Sequence, residues 1–80
     1  MRITTGIKDP FTLGQAIQQG RLAKGYSQRE LAKKLGVSQK WIWEMEQGKP
    51  GILMDRLFRI LDSVDVALLA ELDVKGRDEG

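Results

Sequence analysis

The apolar positions of this chain follow a helical period for most of its length and then switch to a period of two. Leu13, Ala16 and Ile17 stand three and four residues apart behind Thr12, and Gly25 closes the run. This predicts a first helix over about 12 to 24, with Thr12 as its cap. Gly20 inside it costs about 1 kcal/mol relative to alanine, which close packing of another helix would explain. Ser27 followed by Glu30 forms a capping box ahead of Leu31, Ala32 and Leu35, predicting a second helix over 28–35. Gly36 stops it, and Val37 is expected to point back into the core. Ser38 caps a third helix running through Gln47, which Gly48, Pro50 and Gly51 terminate. From Ile52 to about Ser63, Leu53, Leu57, Ile60, Leu61 and Val64 again keep helical spacing, and Met54 and Phe58 widen the apolar face. This fourth helix is more apolar than one small core uses.

After Asp62 the pattern alternates. Val64, Val66, Leu68, Ala70 and Leu72 fall on one side, and Asp65, Ala67, Leu69, Glu71 and Asp73 on the other. Alternation predicts a strand, although Ala67 to Glu71 are also good helix formers, so a helix is the alternative. At the other end, Ile3, Thr4 and Thr5 ahead of Gly6 and the Asp9–Pro10 turn signal predict a short arm or edge strand. The expected organisation is one mainly α domain over 1–80. It comprises an N-terminal arm (1–11), a four-helix core (12–64), a strand (65–73) and a flexible polar tail (74–80).

Composition narrows the chemistry. Eighty residues give room for one core, and a chain of this size is marginally stable without a staple or a partner. With no cysteine and no histidine, there are no disulfides, thiolate nucleophiles, imidazole bases or Cys/His zinc ligands. Neither a nucleophile–base pair nor a phosphate loop can be assembled, so the expectation is a protein that is not an enzyme, with no metal and no cofactor. The net charge of +2 hides a division: residues 1–50 sum to +5 and residues 51–80 to −3. A basic front half suits a polyanion and an acidic back half is freer to meet protein. Without an apolar run of membrane-spanning length or a signal-like N-terminus, the expected location is the cytoplasm, with no membrane partner.

The stretch YSQRELAKKLGVSQKWIWEMEQGKP, residues 26–50, resembles the helix-turn-helix of the Xre/Cro family of bacterial and phage repressors. The matching features are Gln28 opening a helix, Leu31–Ala32 facing inward, Gly36-Val37-Ser38 in the turn, and Ile42, Met45 and Glu46 ahead of Gly48. The resemblance extends over about 12 to 64 and implies a lambda-repressor-like fold that binds double-stranded DNA.

The residues support this independently. On the third helix Ile42 and Met45 share the inward face, with Trp41 at its flank, while Gln39, Lys40, Trp43, Glu44 and Gln47 project outward. An α-helix fits the major groove, where Gln39 could bind adenine, Lys40 guanine and Glu44 cytosine N4. Trp43 departs from the small or polar residue usual in the family. It could touch a thymine methyl, a sugar or a protein. Gln28, Arg29, Ser38, Lys24 and Lys49 are the candidate phosphate contacts, with Ser27 and Ser38 mainly caps. Arg21 and Glu46 match a pair that in the family is architectural.

The ending resembles the HipB-like antitoxins of toxin–antitoxin systems, in which strands from two subunits pair. That resemblance implies a homodimer joined through Val66, Leu68, Ala70 and Leu72. It also implies repression at a palindromic operator and binding of a HipA-like kinase toxin. A stand-alone Xre/Cro-type regulator is the alternative, as is an interaction module on the same fold whose Trp41 and Trp43 dock protein.

Overall fold

In the computed structural model, which describes residues 1–49 and 51–74, the chain runs β1 (Arg2–Ile7), α1 (Pro10–Ala23), α2 (Gln28–Leu35), α3 (Gln39–Gln47), α4 (Ile52–Ser63) and β2 (Leu68–Asp73). The four expected helices and the C-terminal strand are all present. Most of the predicted tail, 75–80, lies outside the described residues.

Local chemistry sets the boundaries. Helix α1 begins two residues earlier than expected because Asp9, not Thr12, is its cap: the Asp9 carboxylate accepts from the Thr12 backbone N–H at 2.8 Å. Thr12 completes a capping box by accepting from the Asp9 N–H at 3.1 Å, and Pro10 supplies a preset φ at the first turn. Ser27 and Glu30 make the expected box at α2, and the Ser38 hydroxyl accepts from the Trp41 N–H at 3.0 Å to start α3. Val37 does not turn into the core. Its side chain is exposed, and its backbone N–H instead closes α2 on the Ala32 carbonyl.

The strand is shorter than the period-two pattern. Val64 ends α4 and Asp65 adopts the left-handed region at φ 59°, while the Val66 N–H reaches back to the Leu61 carbonyl at 2.9 Å. Residues 64–66 thus satisfy the last carbonyls of the helix, and pairing begins only at Leu68. Val66 is therefore not a strand residue. The partner of β2 in the structure is the chain's own β1, antiparallel, with Ile3 opposite Leu72, Thr5 opposite Ala70 and Ile7 opposite Leu68. These pairs share the face that packs on α1, and Arg2 and Glu71 bond across the other face at 2.9 Å. The N-terminal arm is a strand because β2 gives its backbone a ladder.

The buried core is small: Ile7, Ala16, Ala32 and Ile42, together with Glu46. Apart from Ile7 of β1, it lies where α1 and α2 meet α3, and α1 approaches α3 backbone to backbone. A Cβ on Gly14 would stand 2.5 Å from the carbonyl oxygens of Met45 and Glu46, and one on Gly48 would stand 2.5 Å from Phe11 Cα. Gly20 has no such role, since a Cβ there would meet only Leu72 of β2, at 3.8 Å. Helix α4 contributes no buried residue. Its apolar stripe is split lengthwise: Met54, Phe58 and Leu61 are half-buried, whereas Leu53, Leu57, Ile60 and Val64 remain exposed. The radius of gyration, 14.1 Å, exceeds the roughly 12 Å of a compact chain of this length, consistent with a helix lying along one side.

Candidate nucleic-acid interface

The organising contact of the interface is an ion pair behind it. Arg21 of α1 donates from Nε and Nη2 to the two carboxylate oxygens of Glu46 on α3, the second bond at 3.0 Å. The side chains are 8% and 1% exposed, so the pair is buried. Two further bonds surround the pair: Arg21 Nη1 donates to the Tyr26 carbonyl at 2.8 Å, and Gln28 Nε2 donates to Glu46 Oε1 at 3.0 Å. The Arg21 bond holds the Glu46 carboxyl below the ordinary glutamate range against the opposing effect of burial, and Gln28 adds to it. One carboxylate thus ties α1, the start of α2 and the end of α3 together, which fixes the angle of α3.

With Ile42 and Glu46 buried and Met45 half-buried, α3 turns Gln39, Lys40, Trp43 and Gln47 outward, all exposed. Gln39, Lys40 and Trp43, with Gln28 from α2, line an open cleft of about 310 Å³. Glu44 is the exception among the proposed base readers: it is half-buried and its carboxylate accepts from Lys49 Nζ at 3.1 Å. Lys49 and Glu44, placed by sequence in separate roles, therefore meet each other. Trp41 is 46% exposed at the flank of the helix, so it is not a core residue.

Of the candidate phosphate contacts, Arg29 sits exposed in the first turn of α2, and Lys24 is exposed at the C-terminal end of α1. Ser38 is committed as a cap, and Gln28 uses one of its two amide N–H groups on Glu46. Lys34 adds a cation over the Tyr26 ring at 5.7 Å, leaving its charge on the same basic half. Sequence reasoning missed the Gln28 link, the Asp9 cap and the Gly14 contact. Two of these carried a signal: Gly14, as a glycine inside a predicted helix, and Asp9, as a capping residue followed by proline.

Comparison with known protein families matches residues 12–72 to a helix-turn-helix domain. Among curated proteins, the chain is 32% identical over 62 residues to the antitoxin HipB of Escherichia coli strain K12, covering 78% of this chain and 70% of that protein. It is equally identical over the same length to the antitoxin HipB of Escherichia coli O6:H1, covering 66% of that relative. No solved structure gives a significant match. The buried Arg21–Glu46 pair, the capped α2–turn–α3 unit and these matches agree, and the chain belongs to the helix-turn-helix domain family as an Xre-type member resembling HipB.

Proposed function

We propose that this DNA-binding regulator is a homodimeric repressor that reads a palindromic operator with α3 and serves as the antitoxin of a toxin–antitoxin pair. The observation that carries the DNA reading is the two-sidedness of α3: a buried carboxylate anchors one face, while Gln39, Lys40 and Trp43 stand exposed on the other. Gln39 and Lys40 occupy the first turn, from which side chains reach base edges in the major groove. Trp43 extends the same face one turn on, and Glu44 reads bases only when it leaves Lys49. Arg29, Lys24, Lys49, Gln28 and the α3 N-terminus at Ser38 flank this face as phosphate contacts that position the helix.

The dimer is supported by the exposed stripe of α4. Leu53, Leu57, Ile60 and Val64 recur at intervals of four, three and four residues, and are 79%, 42%, 60% and 58% exposed. A continuous apolar row on a chain with so small a core marks a contact surface. Beyond it, β2 has one edge on β1 and a second edge toward which the matching strand of another copy can pair. A twofold axis through such a contact sets two copies of α3 on half-sites about one DNA turn apart.

The antitoxin role, with a HipA-like kinase as toxin, rests on similarity to HipB and on the acidic back half of the chain. Footprinting on the DNA upstream of the chain's own gene tests the repressor: a protected palindrome is expected, and uniform protection overturns sequence-specific reading. Co-expression with a kinase encoded beside it tests the antitoxin role, with relief of growth arrest as the expected result. No relief would leave a stand-alone regulator.

A further inference from the structure

The cleft on the outward side of α3 has an uneven lining. It is lined by one aromatic residue, Trp43, 49% exposed, and by three residues that carry N–H donors, Gln28, Gln39 and Lys40. No carboxylate lines it. The acidic side chains of α3 are engaged elsewhere, Glu44 with Lys49 and Glu46 with Arg21. Trp43 lies four residues past Gln39 and three past Lys40, so the three side chains are neighbours on one helix face.

A cleft lined by one aromatic residue and by donor-bearing ones fits a small apolar group flanked by acceptors. In the major groove thymine presents that pattern, a C5 methyl beside the O4 acceptor, and among the unmodified bases it alone carries a methyl. Purine edges offer acceptors to N–H donors but no methyl to the face of the indole ring. Resting on the DNA-reading role of α3 proposed above, we infer that Trp43 is a specificity-determining residue whose ring face takes the C5 methyl of a pyrimidine. That pyrimidine is thymine in unmodified DNA, and 5-methylcytosine where cytosine carries the same methyl.

The experiment isolates the operator by selection from random DNA duplexes with the wild-type protein. Each thymine of the selected sequence is then replaced, one at a time, by deoxyuridine, which removes only the methyl. Burying one such carbon is worth about a fourfold change in Kd. At one or two positions in each half-site, uracil should weaken wild-type binding about fourfold and leave the binding of Trp43→Ser unchanged. At those positions a 5-methylcytosine–guanine pair should bind wild type about fourfold more tightly than cytosine–guanine, and Trp43→Ser equally to both. Circular dichroism checks the helical content of the variant, and Trp43→Gln takes its place in the same titrations if the serine variant is misfolded.

Binding that ignores uracil at every position overturns the inference, as does a uracil penalty of the same size in both proteins. Either result leaves Trp43 for a sugar or a protein partner while the DNA-reading role stands. Failure of the wild-type protein to enrich any sequence is a different outcome, and overturns that role and the inference with it.

Discussion

Gly14 of α1 rests against the Glu46 carbonyl of α3, so closely that a Cβ would come within 2.5 Å of its oxygen. The backbone oxygen cannot swing away as a side chain would. Gly14→Ala should therefore push α1 from α3 and destabilise the chain by roughly 1 to 3 kcal/mol, despite the better helix propensity of alanine. Gly20→Ala in the same helix should do the opposite, stabilising by up to about 1 kcal/mol, because its Cβ meets only Leu72 at ordinary contact distance. Urea unfolding of the two variants side by side measures the contrast, and equal behaviour would mean that α1 and α3 are not in backbone contact.

Glu46→Ala should cost roughly 3 to 5 kcal/mol, since it leaves the Arg21 guanidinium buried without its carboxylate and frees the Gln28 amide as well. That is a large part of the stability of any small domain. The loss should appear in the melting temperature, with operator binding following it. An unchanged melting temperature with lost binding would make Glu46 a direct DNA contact.

The same carboxylate gives the fold an acid limit. Its folded value lies below the ordinary range, about 4.3, so its contribution is complete above about pH 5 and is lost as the pH falls through the depressed folded value. Asp9 and Glu30, lowered mainly by their bonds to the Thr12 and Ser27 backbone N–H groups, act in the same direction. Unfolding free energy measured from pH 7 downward should therefore fall on the acid side, and Glu46→Gln should make that fall shallower without abolishing it. An identical acid slope in the variant would remove Glu46 from the linkage.

Base reading and phosphate binding separate by salt. Gln39→Ala should lower operator affinity by about 1 to 3 kcal/mol and leave random DNA nearly unaffected, and Lys40→Ala should behave likewise toward a guanine. Arg29→Ala, at an exposed position in the first turn of α2, should weaken both DNAs and reduce the salt slope by about 1. Equal losses on both DNAs for Gln39→Ala would exclude it from base reading.

For the dimer, Leu57→Asp is a cleaner probe than Leu68→Asp. Leu68 faces Ile7 within the chain's own sheet, so a charge there disturbs the monomer fold, whereas Leu57 lies in the exposed row of α4. Sedimentation should show Leu57→Asp as a folded monomer whose operator affinity collapses because the two half-sites are no longer linked. A dimeric Leu57→Asp protein would move the interface to the β2 edge.

All four helices were legible in the sequence, and α2 and α3 to their boundaries, because short-range signals write them: the Ser27–Glu30 box, the Ser38 cap, Gly36 and Gly48 as stops, and the spacing of Ile42 and Met45. The Arg21–Glu46 partnership, between residues 25 apart in the chain, came from the resemblance to the Xre/Cro family and not from their spacing. The sequence could not determine the partner of β2, since an alternating strand specifies a face and not a neighbour; the Arg2–Ile7 arm supplied that neighbour. Nor could it set where pairing begins, because the unsatisfied carbonyls at the end of α4 claimed Asp65 and Val66 first. The depth of the Arg21–Glu46 pair and the recruitment of Gln28 to it depended on tertiary packing, whereas Glu44 and Lys49 meet locally across the end of α3. A side chain's reach spans several possible partners, and only the packing of α1 against α3 through Gly14 brings the chosen ones within bonding distance.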